Sequence, residues 1–190
     1  VDRRQRQMCI RDRYIVGSSI YRTTFDTAFH CMYLNSRGES DINSEPIEKD
    51  FAEWMQFGKK ELVVTETAFV SFGEKATEYS YAMMAKITAL VMAHDLDVMI
   101  GDTTSTDHYA SIGGFENLET FLSPDVLALV QDRLYYAKDE NGKEYACAID
   151  LSGTEFAEIS NLSQDTPLLG LVAGAKRTDH SIALIRYIFD

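Results

Sequence analysis

Basic residues are scarce in this chain, and the few present are unevenly placed. Eighteen Lys and Arg stand against thirty Asp and Glu among 190 residues, a formal net charge of -12. Five Arg and only two Asp fall in residues 1–13, so the rest of the chain sits at -15. Nucleic-acid binding needs a basic face, and so does adhesion to anionic lipid through charge; neither is expected. The acidity itself names no partner, because it is also what keeps an ordinary protein in solution.

Cysteine is equally sparse. Cys9, Cys31 and Cys147 form no Cys-x-x-Cys, and His30, His94, His108 and His180 show no ligand spacing, so no metal site is expected. Cys31 and Cys147 fall in expected strands and read as two buried small side chains, a disulfide between them being the lesser alternative. No Gly-rich phosphate loop is present, since Gly113-Gly114 follows a helix instead of opening one, and there is no Gly-x-Ser-x-Gly elbow. No cofactor and no catalytic residue are assigned. Long apolar runs are missing too. The stub Tyr14-Ile15-Val16-Gly17-Ser18-Ser19-Ile20 is far short of the roughly 20 residues that span a bilayer.

What remains is a chain 45% hydrophobic, of a length that suits one domain. Residues 1–13, VDRRQRQMCIRDR, are basic and without apolar periodicity, and they stop abruptly before Tyr14. They resemble translated sequencing-adapter read-through and are set aside as non-native, the alternative being a basic arm ahead of a membrane segment. Residues 14–24 read as the remnant of a membrane anchor or as an ordinary edge segment. Residues 25–190 read as a single α/β domain.

Within that domain the periodicity alternates. Phe25–Leu34 reads as a strand, Asn35–Ser44 as a loop, and Ile47, Phe51, Trp54 and Met55 as one helical stripe capped by Ser44 or Asn43. Glu61–Val70 is a second strand. A helix over Lys75–His94, with Tyr79, Met83, Ile87, Leu90 and Val91 on one face and Met83, Met84 and Met92 as core filler, leads into the strand Asp97–Ile100. A short helix spans Ser105–Ile112, and Ser123-Pro124-Asp125 opens another. LYYAKDENGKEYACAID reads as a hairpin around Asn141-Gly142, with Tyr145, Cys147 and Ile149 on one face. Gly153–Thr166 reads as irregular, Leu168–Ala173 as a buried strand, and Thr178 as the cap of a last helix. This order predicts an α/β fold with a mainly parallel sheet and one hairpin.

Ligands in such folds sit beyond the carboxyl ends of the strands. Three strand ends carry polar groups: Asn35 and Ser36, Asp102 with Thr103 and Thr104, and Asp150 with Ser152. Together they are the candidate ligand site, in which the carboxylates favour a cationic or hydroxyl-rich ligand over an anion. Each residue also has a plainer reading; Thr103 or Thr104 as a helix cap is one. Asp95 and Asp97 read as solvated turn carboxylates, Asp107 as a helix-dipole partner and His108 as a surface residue.

In order along the chain, AKITALVMAHDLDVMIGD, SIGGFENLETFL, NGKEYACAID and LLGLVAGAKRTDHSIALIRYIF resemble segments of the first lobe of extracellular solute-binding proteins of the ABC-importer type. In the hairpin, Ala146 and Ala148 replace the usual Gly and Pro. The resemblance implies one lobe of a type II periplasmic binding protein, with the Phe25–Leu34 strand between Glu61–Val70 and Asp97–Ile100. It also implies a second lobe between Asp150 and Pro167, where only sixteen residues stand. The chain therefore resembles a shortened, single-lobe, membrane-anchored relative of the kind found in gut Firmicutes. That likeness implies a binding module on the outer face of the cell membrane, with a small-molecule or protein partner and a membrane transporter nearby. The alternatives are a small α/β enzyme, or a structural or assembly subunit, and a cytoplasmic location.

Overall fold

The computed structural model describes residues 25–36, 42–162 and 166–190. The segments 1–13 and 14–24, with their readings as foreign sequence and anchor remnant, lie outside the described residues.

Among the described residues six strands form one open sheet: β1 (Asp26–Leu34), β2 (Glu61–Ala68), β3 (Val98–Gly101), β4 (Leu134–Lys138), β5 (Glu144–Asp150) and β6 (Leu168–Leu171), in the order β2-β1-β3-β6-β5-β4. β1 lies between β2 and β3, as expected, and pairs with both in parallel. Beyond β3 the sheet turns antiparallel: β6 runs against both β3 and β5, and β4 against β5. The fold is α/β, but the sheet is mixed and parallel only in one half. The cause is the hairpin, whose short link can join only antiparallel strands, together with a β6 that returns between β3 and β5.

Helices cover both faces. α1 begins as a π-helical stretch, Pro46–Phe51, and continues over Ala52–Trp54; α2 is Glu78–Met92, α3 Thr103–Ser111, α4 Leu118–Phe121, α5 Pro124–Val130, α6 Glu155–Ile159 and α7 Thr178–Phe189. Strand alternation divides the core in two. Phe29, Cys31 and Tyr33 of β1, with Val98 and Ile100, face α1, α5 and α7. Met32, Leu34 and Met99 face α2 and α3. Cys31 and Cys147 are buried, free, and on opposite faces of the sheet, which rules out a bond between them.

Local differences from the sequence reading have physical causes. In the hairpin Tyr135 pairs with Ala148 but Tyr136 with Ala146, so Cys147 is an extra, bulged residue. The bulge reverses the alternation: Tyr145 and Cys147 pack on the α2 face, and Ile149 packs on the other. Gly153–Thr166 is not wholly irregular, because Thr154 Oγ1 accepts from Ala157 N at 3.2 Å and starts α6. α7 has Arg177 as its N-cap residue with no side-chain cap, so Thr178 is inside the helix. Met92 is 75% exposed and fills no core. Among the described residues no helix is long and apolar enough to cross a membrane.

Candidate functional site

Because β6 opposes both β3 and β5, those two strands run the same way, and Leu168 stands opposite both Gly101 and Asp150. The carboxyl ends of β1, β3 and β5 therefore reach one edge of the sheet. The candidate residues named from the sequence lie along it.

Two of them are joined directly. Asn35 has φ 52°, in the left-handed region that Asn tolerates better than most side chains. That turn sends its amide back across the edge: Oδ1 accepts from Val70 N at 2.7 Å, and Nδ2 donates to Asp102 Oδ1 and Oδ2 at 3.3 and 3.4 Å. One side chain thereby links the ends of β1, β2 and β3. Asp102 is also the N-cap of α3, accepting from Ser105 N at 2.9 Å and from the Ser105 hydroxyl. The cap is the aspartate, so the threonines are free of that duty: Thr103 and Thr104 stand in the first turn of α3, exposed.

The other members are less closely drawn in. Ser36 is buried beneath the edge. Asp150 lies across β6 from Gly101, the residue before Asp102, and its Oδ1 accepts from Ser152 N at 2.8 Å in a side-chain turn. Arg133 Nη1 donates to the carbonyls of Asp150 and Ser152 at 3.3 and 2.9 Å and holds that loop. The structure thus unites Asn35 with Asp102–Thr104 and leaves Asp150 and Ser152 as a separate wall.

Beside this edge stands an aromatic wall that the sequence did not announce. His108 lies one helical turn after Thr104, on the same face. It is half-buried, stacked on Phe72 with ring centroids 4.1 Å apart, and burial lowers its pKa, so the imidazole is neutral at neutral pH. The signal in the sequence was the i, i+4 spacing of Thr104 and His108, but the partner ring follows β2 and only the fold brings it there. Asp107 accepts from the Tyr135 hydroxyl at 2.9 Å; burial first, and Asp107 second, push that phenol to about 12.

At the opposite end of β3 the structure corrects a second reading. Asp97 is fully buried, not a solvated turn carboxylate. Its Oδ2 accepts from Arg177 Nε and from His30 N, each at 2.7 Å. Burial raises its pKa, and the Arg177 guanidinium is the main opposing influence. Arg177 also donates to the Asp95 carbonyl at 2.7 Å and the Thr27 carbonyl at 3.4 Å, while His180 Nδ1 lies 2.6 Å from the Ala28 carbonyl. β3 does not extend alongside the first residues of β1, so side chains from the start of α7 satisfy those carbonyls instead. This cluster closes the sheet and faces away from the candidate edge.

Among the described residues no group of three or more His, Cys, Asp or Glu is placed to hold a metal ion. Comparison with known proteins finds no matching family model, no matching curated protein and no matching solved structure.

Proposed function

We propose that this chain is an extracytoplasmic solute-binding-like module, a single lobe working beside an ABC-type importer at the outer face of the cell membrane. The observation that carries the reading is the shared edge. The Asn35–Asp102 bridge fixes the mouth of β1 and β3, Thr103 and Thr104 present free hydroxyls over it, and the Phe72–His108 stack makes a flat wall beside them. The position of β1 between β2 and β3, and the return of β6 beside β3, support the resemblance to a solute-binding lobe. Fixed polar groups with an aromatic wall suit a small ligand bearing hydroxyls or a cationic head, because the local carboxylates disfavour an anion.

The test is a thermal-shift screen with amino acids, polyamines and mono- and disaccharides. A ligand of this edge raises Tm in proportion to its occupancy, and the double variant Thr103→Ala, Thr104→Ala, whose side chains support no packing, loses the shift while keeping its own Tm. A panel without any shift, or a shift that survives the double variant, rejects the reading.

A further inference from the structure

β2 is the outer strand of the parallel half of the sheet, and among the described residues it pairs with β1 alone. The phase of its free backbone groups follows from that pairing. Lys60 O accepts from Asp26 N and Ala68 O accepts from Asn35 N, so even-numbered residues turn their backbone groups toward β1. Alternation then leaves Val63, Thr65 and Thr67 with N–H and C=O directed outward. Natural edge strands are commonly shielded by charge, a bulge or proline; this one carries Leu62, Val63, Val64 and Thr65 in sequence, all half-buried.

We propose that this edge is an isologous interface between two copies of the chain, with β2 pairing antiparallel to itself about a two-fold axis through Val63. The register is set by hydrogen-bond phase and by charge together. With Val63 on the axis, outward-facing residues meet outward-facing residues: Val63 exchanges both backbone bonds with its own copy, and Thr65 N–H donates to the second copy's Glu61 carbonyl on either side. In the same register Lys60 comes opposite the second copy's Glu66, twice by symmetry, and Leu62 opposite Val64. Lys60 is exposed and forms no ion pair among the described residues, while Glu66 already holds Lys86 and lies 3.5 Å from His30 Nε2.

The helix above the edge agrees. Lys86 reaches down to Glu66, so its flank of α2 is the one that overhangs β2. That flank carries Tyr79, Ala82, Lys86, Ala89 and Ala93 at alternating steps of three and four, all exposed. Small side chains there let α2 of the second copy approach across the axis, covering an apolar flank that water now faces.

Sedimentation velocity on the full chain, over a dilution series, tests this. The wild type is expected to move from monomer to dimer as concentration rises. Thr65→Pro removes an outward N–H that β1 does not use, which edge strands tolerate, and should stay monomeric with an unchanged circular-dichroism spectrum. Lys60→Glu sets like charges face to face twice and should weaken dimerisation at least tenfold without touching the fold. A wild type that remains monomeric throughout overturns the proposal. So does a Lys60→Glu chain that dimerises as tightly as wild type, whether or not Thr65→Pro folds.

Discussion

Asp97 and Arg177 decide how the first half of β1 is held. A fully buried carboxylate is tolerable only with its partners in place, and the charge on Arg177 is what opposes the cost of burial. Arg177→Met strands that carboxylate and should cost about 3–5 kcal/mol at neutral pH. The sign of the pH dependence follows from linkage. A carboxyl whose pKa in the folded state lies above its unfolded value binds protons more readily when folded, so lowering pH through the folded value favours the fold. Asp97 is already raised, and losing Arg177 raises it further. The deficit of Arg177→Met relative to wild type should therefore narrow from neutral to mildly acidic pH. Urea denaturation at both conditions measures it; a deficit that holds constant or widens would mean that Asp97 is not the group responsible.

At the scale of elements, β6 shows how a missing side chain can be structural. Gly170 lies against the ring of Phe115, and a Cβ built there would stand 2.5 Å from Cδ1 and 3.0 Å from Cζ. Phe115 is itself fixed, since it bridges to Val172 just past β6. Gly170→Ala should thus overpack the α3 face and cost about 1–3 kcal/mol. A thermal melt checks this, and Gly170→Ala with Phe115→Leu should recover part of the loss. The apolar run LLGLV announced a buried strand, and nothing in it announced the ring. The same division holds elsewhere. β1, β2, β3 and α7 were legible because each shows in its own local sequence, the strands as apolar or β-rich runs and α7 as a helical stripe, and the strand ends followed from their order. The Cys147 bulge was not legible, because it is a relation between two strands. Nor was Asp97: two acids beside a turn look solvated until Arg177, eighty residues on, is brought against them. Of the candidate edge, the residues were legible but their division of labour was not. Asp102, not a threonine, became the cap, and the Phe72–His108 wall needed the crossover from β2 to place it.

For the whole molecule, burial is unevenly shared between the two faces. The face under α1, α5 and α7 holds a large apolar cluster that includes aromatic contacts such as Phe29–Phe51 at 5.2 Å and Phe51–Tyr187 at 5.6 Å. On the other face α2 is long but lightly held: only Ser80 and Ile87 are fully buried, and Tyr81 is 60% exposed. Its Thr77 cap, which accepts from Ser80 N at 3.1 Å, and the Lys86–Glu66 pair tie it at two points. Local opening free energy tracks buried apolar contact, so the lowest barrier to opening should lie in α2 and the highest in β1, β3 and β6, which are covered on both sides. Hydrogen exchange at dilute, monomeric concentration is expected to show α2 amides exchanging at least tenfold faster than those of β3. Removing the cap with Thr77→Ala should cost about 1 kcal/mol of local stability and speed α2 exchange while leaving β3 unchanged. Equal exchange rates in α2 and β3 would show instead that the two faces open as one cooperative unit, and that the sheet transmits the stability of its better-packed side to the helix on the other.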